Sequence, residues 1–352
     1  MPDTMIDAWN SNAFGVVSMT ASINNLPTKP GFITKMGLFA GQGVTTKYVS
    51  VDVRDQTLSL VPTIPRGGPA PQSGHATRRA LLYEVPHHPI EDAVTPDDYD
   101  SIREFGKSSV MSGPTTLIND RMTVMRDRLE ITLEYLQAQA LQGLVRYIDL
   151  EGVPIPTAVH NLYTDFDITE QTVDFVLGTT TTDIKAKAVT AKRYVKKALG
   201  GLAFTGYVAL CGRTFWDAFV GHTIVKAAFD RWNAGEWMRT DYGATGAAQG
   251  FPYMGITWYE YDASIGTDAS GNLSEFFPPA ECRICPVGVN NLYIERWAPA
   301  PWEETVNTVG KRMYAKQVQL DKISGGRKLH AQTNPLFLCL KPAALVKGYT
   351  SN

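Results

Sequence analysis

Cys282-Arg-Ile-Cys285 has the spacing of a dithiol redox couple or of half a zinc site. Zinc would need a second pair of ligands, and no other Cys or His lies at a fitting interval. A redox pair favours a helix N-terminus, where the dipole stabilises a thiolate, whereas this pair runs straight into Pro286. Together with Cys211 and Cys339, the two fit better as buried reduced thiols of a chain made in a cytosol. An enzyme using Cys282/Cys285 is the alternative reading of the same residues.

The other chemical candidates are weaker. His87-His88 would point to opposite faces of a strand, so the two cannot share one metal, and a turn before Pro89 accounts for them. Gly41-Gln-Gly-Val-Thr-Thr-Lys47 lacks phosphate-loop spacing and precedes a strand pattern rather than a helix. No G-x-S-x-G nucleophile elbow occurs. The basic segment 183–199 carries Lys185, Lys187, Lys192, Arg193, Lys196 and Lys197 against Asp183 alone. It reads as a solvated helix face, or, as a second alternative, as a DNA-binding module. No cofactor, metal or catalytic set is therefore expected.

The elements that would position these residues are dominated by one helix. Over Thr116–Tyr147, apolar residues fall at Ile118, Met122, Met125, Leu129, Leu133, Leu136, Ala140 and Leu144, in steps of three and four. Arg121, Arg126, Asp127, Arg128, Glu130 and Glu134 fill the other positions, predicting a charged face toward water or another subunit. Pro114 suits the first turn and Gly143 the far end. At ~1.5 Å per residue such a helix spans on the order of 45 Å, which makes it a spine.

Before the spine, residues 1–43 are irregular, with a short helix predicted over Val17–Asn24 and breakers at Pro27, Pro30 and Gly31. Such a segment orders itself by lying on another surface. Lys47–Val53 alternates as a strand, and Thr57–Val61 and Leu81–Val85 are further strand candidates. Between them Pro62–Arg79 forms the tip of a long excursion carrying Arg66, Arg78 and Arg79. A lone hairpin of that length is barely stable in water, so it needs a partner.

After the spine, a strand is predicted over Thr157–Phe166. Asp183 N-caps a helix ending at Gly200–Gly201. Tyr207–Leu210 is a strand, Thr214–Trp232 a helix broken near Gly221, and Thr240–Gly250 a loop. Ile256–Tyr261, Asn291–Glu295, Tyr314–Leu320 and Leu336–Leu340 are strands, and Asp262–Leu273 is a turn-rich hairpin tip. The order is α+β.

A chain of 352 residues supports roughly two domains. The net charge of −2 excludes a strongly basic nucleic-acid binder. The first ten residues lack a basic cluster and an apolar core, so no secretory signal is expected there, and no apolar run reaches a membrane span.

Several blocks, in order, give the chain a family resemblance. They are Ala21-Ser-Ile-Asn24 with Gly37-Leu-Phe39, then Leu58-Ser-Leu-Val-Pro62 with Pro65-Arg-Gly-Gly68, and Val85-Pro-His-His-Pro-Ile90. Ile118-Asn-Asp-Arg121, Leu133-Glu-Tyr135 and Ala140-Leu-Gln-Gly143 follow along the spine. Pro286-Val-Gly288, Tyr293-Ile-Glu295, Ala298-Pro-Ala-Pro301, Tyr314-Ala-Lys316 and Gln332-Thr-Asn-Pro-Leu336 close the series. With these blocks the chain resembles the tailed-bacteriophage major capsid protein E family, of the lambda type.

The resemblance implies a Hong Kong 97-type capsid fold. Residues 1–43 would be an N-terminal arm and 44–100 the extended loop. Residues 101–185 and 285–352 would form the peripheral domain, with the spine at about 116–147, and 186–284 the axial domain. It implies a structural head protein, not an enzyme, whose copies form hexamers and pentamers of an icosahedral shell around double-stranded DNA. Such a protein is a virion component assembled in the host bacterial cytoplasm, with no membrane partner. Scaffolding and portal proteins are the family's expected partners, and a decoration or cement protein fits the lambda-type likeness. Arg66, Arg78 and Arg79 would meet acids of a neighbouring subunit, with Glu130 and Glu134 as candidates. Some relatives in this fold join subunits by lysine–asparagine isopeptide bonds. Here the hairpin has Lys47 at its base and arginines at its tip, so no such crosslink is expected.

Overall fold

The computed structural model describes residues 15–26, 31–54, 78–95, 98, 114–148, 155, 157–234, 250–262, 264–267, 273–319 and 326–352. The predicted strand Thr57–Val61, most of the tip Pro62–Arg79 and nearly all of the loop Thr240–Gly250 lie outside them.

The spine runs from Pro114 to Leu141, 28 residues, or ~42 Å at 1.5 Å per residue. It ends where Gly143 takes φ +75°, a backbone angle that favours glycine. Ile118, Met122, Met125, Leu129, Leu133, Leu136 and Ala140 are buried as their spacing predicts. The stripe packs on strands His88–Val94, Arg327–Thr333 and Pro335–Cys339.

The charged face departs from the expected one. Arg126, Glu130, Glu134, Gln137, Gln139 and Gln142 are buried too. Of the spine's described side chains only Asn119, Asp120, Val124, Arg128 and Ile131 are exposed. Gln139 and Gln142 both donate to the Phe276 carbonyl at 3.0 Å, and the arm lies over the turns before them. Its helix Val16–Asn25 lies on strand Tyr314–Gln319 and on the spine, and a second helix, Phe32–Met36, crosses the spine. Strand Ala40–Gly43 then joins Tyr293–Trp297 in parallel, so the Gly41–Lys47 segment is sheet followed by turn.

Tyr48–Arg54 and Arg78–Glu84 pair antiparallel as a hairpin root, with Val51 opposite Leu81. A separate antiparallel sheet orders Tyr314–Gln319, Arg327–Thr333 and His88–Val94. His88 therefore opens a strand instead of completing a turn. Its cross-strand partner Thr333 lies on a strand the sequence pattern missed.

A six-stranded mixed sheet orders Gln171–Asp174, Val346–Tyr349, Glu281–Val287, Gly206–Cys211, Ile256–Glu260 and Phe251–Tyr253. Its central strands are buried along nearly their whole length, so both faces must be covered. Helix Arg213–Gly221 packs Phe215 and Phe219 beside Trp258, the Phe219 and Trp258 rings stacking at 4.3 Å. Helix Thr223–Ala234 follows after His222, the expected break. The sheet takes its strands Gln171–Asp174 and Val346–Tyr349 from outside residues 186–284.

Thr157–Phe166 is not one strand. His160–Asn161 makes a two-residue pairing with Leu144–Val145, and Leu162–Asp165 is a helical turn. The Asn161 side chain accepts the Tyr163 N–H at 3.0 Å, a local cap that competes with extension.

Candidate assembly surfaces

The spine carboxylates Glu130 and Glu134 form a buried polar site. The N-terminal N–H groups of helix Phe32–Met36 have no intrahelical acceptor. Glu134 supplies one: it accepts Ile33 N at 2.7 Å, and Thr34 N and Thr34 Oγ1 at 3.2 Å each. Tyr261 OH donates to the same carboxylate at 3.2 Å, joining the spine to the six-stranded sheet. A β-carbon on Gly31 would overlap the Glu134 carboxylate, so the arm passes close only because glycine stands there.

One turn earlier, Glu130 sits between two cations. Arg312 Nη2 lies 2.8 Å from Oε2 and Arg126 Nη2 lies 3.7 Å from Oε1. Arg126 also donates to the carbonyls of Ile23 and Leu26, the latter at 2.6 Å, and so holds the end of the arm helix. Glu130 and Glu134, read from sequence as facing a neighbour, thus have their partners inside the subunit. Arg312 had no periodic signal that could have marked it, and the alternation ending at Tyr261 marks a strand but not its partner on the spine.

The hairpin root is pinned to the turn after the spine. Arg79 Nη2 donates to the Asp165 carbonyl at 2.8 Å, and Tyr83 OH to Asp165 Oδ2 at 3.2 Å. The Tyr83 ring meets His160 edge-on at 4.9 Å, and burial pushes the phenol well above its ordinary range. On the outer side Leu82 is 62% and Tyr48 40% exposed. Arg66 and the Arg78 side chain lie outside the described residues.

The thiols form no open site. All four cysteines are free and buried. Cys282 pairs in register with Cys211, whereas Cys285 lies three residues along the strand on the other face. Burial pushes the Cys285 and Cys339 thiols up to about 12, the reverse of an activated nucleophile. No His, Cys, Asp and Glu grouping able to hold a metal occurs among the described residues, and none of the helices there is long and apolar enough to cross a membrane.

Asp183 caps the basic helix as expected, accepting Ala186 N at 3.2 Å, and Gly200 at φ +60° ends it. Lys185, Arg193, Lys196 and Lys197 are exposed.

An arm strapped to a long helix, a paired hairpin root and a helix-packed sheet are the parts of a structural shell protein. The chain belongs to the phage major capsid protein E family, which it matches over residues 15–350. It is 22% identical to the major capsid protein of Salmonella phage Felix O1 (isolate Felix O1-VT1), covering 97% of this chain and 98% of that one. To the major capsid protein of Pseudomonas phage KPP10 it is 24% identical, over 96% and 97%. Among solved structures it is similar to a putative capsid protein of a prophage from E. coli CFT073. There the TM-score is 0.57, the identity 13%, and the coverage 96% of this chain and 99% of that one. The mature capsid of bacteriophage PhiM1 gives 0.51, 12%, 93% and 89%. The fold is the Hong Kong 97-type capsid fold, and the protein is a phage major capsid protein, a component of the virion.

Proposed function

We propose that copies of this chain form hexamers and pentamers and close an icosahedral shell around double-stranded DNA, assembling in the host bacterial cytoplasm. The observation that carries this reading is the hairpin whose root turns Leu82 and Tyr48 to solvent, within an end-to-end family match. Closed shells need heterologous contacts repeated around each ring. The hairpin supplies one by lying across a neighbour, with Arg66, Arg78 and Arg79 meeting acids there. Glu130 and Glu134 serve that surface indirectly, by fixing the arm and the spine beneath it. The outer spine stripe of Val124, Arg128 and Ile131 is the part of the helix left for the neighbour.

The axial domain is built on the six-stranded sheet, centred on residues 186–284, and the arm, hairpin and spine belong to the periphery. A separate scaffolding protein and a portal are the expected assembly partners, a decoration or cement protein fits the lambda-type likeness, and no catalytic step is assigned to any residue. The test is to express the full chain and image it by negative-stain electron microscopy with light scattering. Rings, tubes or shells support the reading. A species that stays small when a cognate scaffold is supplied overturns it.

A further inference from the structure

We infer that the outer side of helix Ile184–Leu199 is a contact surface for duplex DNA. The inference rests on the shell reading for the source of that DNA, and on this helix for the contact. Six of its sixteen residues are basic. Its buried stripe, Ile184, Ala188, Ala191, Val195 and Leu199, fixes which side faces outward. Lys192 Nζ donates to the Met254 carbonyl at 2.6 Å and ties the helix to the turn at Met254–Gly255.

At 3.6 residues per turn, Arg193 and Lys197 stand opposite that stripe, about 6 Å apart along the axis, and Lys185 and Lys196 lie together to one side of them. All four are exposed and have no ion-pair partner among the described residues. The acids on the adjoining strands are already engaged. Glu281 is held by Lys347 and Arg283, Glu170 by Arg283, and Asp174 accepts the N–H groups of Val176 and Ser351.

The helix dipole accounts for Lys196 and Lys197 in the last turn, but it opposes Lys185 in the first and is indifferent to Arg193 in the middle. These four cations therefore do not serve the fold as a set. A regular row of phosphates is the partner that uses all of them without regard to sequence. Lysines suit such contacts as point charges. The outward line carries no fully exposed aromatic ring on which an unpaired base could stack, which favours duplex over single strand.

The test uses the full-length protein and a fluorescent mixed-sequence duplex, with affinity followed by anisotropy from about 50 to 200 mM salt. The variant K185Q/R193Q/K196Q/K197Q is expected to lower the slope of log affinity against log salt by about 3–4. Its affinity at the low-salt end should fall at least about tenfold, while shells still form by electron microscopy. An unchanged slope overturns the proposal. So does DNA binding that persists while binding of an acidic polypeptide is lost. If the fourfold variant does not assemble, K185Q/R193Q is measured in its place, and a slope lowered by about 2 supports the contact. Failure of both variants to assemble would mark the face as an inter-subunit contact and overturn it. Absence of shells from the unsubstituted chain would count against the shell reading alone, because the duplex slope is read on subunits as well.

Discussion

The Glu134 carboxylate accepts the Ile33 backbone N–H at 2.7 Å across 101 residues of sequence, and by that bond the spine holds the arm. Glu134→Ala would strand two backbone donors and the Tyr261 hydroxyl in a buried place. The expected cost is about 2–4 kcal/mol, with Glu134→Gln losing about half as much because it keeps one acceptor oxygen. Thermal unfolding measures the loss, and limited proteolysis should cut the alanine variant first within residues 15–43. Equal melting of both variants and the parent would remove the latch from the account.

Glu130 and Arg312 form a second clasp, from the spine to the strand region near Tyr314. Arg312→Gln leaves the Glu130 carboxylate, with 3% side-chain exposure, to Arg126 alone. The expected loss is about 2–4 kcal/mol, larger than for any surface pair. Adding Glu130→Gln should restore part of it, giving a coupling of about 0.5–3 kcal/mol in a double-mutant cycle. Additive losses would show that the pair is not energetically joined.

His88 gives the subunit an acid-sensitive step. Burial, and then the nearby His87, lower its pKa from 6.5 to about 4. The folded state thus binds the proton more weakly than the unfolded chain. The associated stability is complete above about pH 6.5 and is lost as pH falls toward 4. His88→Asn should flatten the melting temperature over that window. An unaltered pH profile would exclude His88 as the source.

For Cys285 and Cys339 the sign is opposite. Their thiols, raised from 9 to about 12, are held protonated by the fold. Their contribution is complete below pH 9 and declines as pH rises through that value toward 12. At neutral pH, alkylation must wait for opening, so it should be about a hundredfold or more slower than in denaturant. Mass spectrometry after iodoacetamide reads this. Rapid modification of the folded protein would return the thiol-enzyme reading to consideration.

The hairpin is tested by R78E/R79E. Arg79 donates one exposed hydrogen bond within its own chain, so its loss should cost the subunit no more than about 1 kcal/mol. Shell yield by electron microscopy should nevertheless fall sharply. Normal shells would show that these arginines do not join subunits.

The spine was legible in the sequence because a helix repeats every 3.6 residues, and one apolar stripe records that period wherever the helix packs. The caps Asp183 and Gly200, and the helix break before His222, were legible for a similar reason, since each acts through its nearest neighbours. The order of the family blocks fixed the fold. Charge, by contrast, has no period that tells water from a partner hundreds of residues away. Arg126, Glu130 and Glu134 occupy positions that an isolated helix would expose, and the arm, together with Arg312 and Tyr261, makes them interior. Strand Arg327–Thr333 escaped the pattern because it is buried at successive positions without strict alternation, and Val346–Tyr349 because its alternation runs over only four residues. The sequence by itself determined the helical spine, its caps and the family. Tertiary structure decided which charges are structural, because desolvation and pairing depend on what covers a side chain.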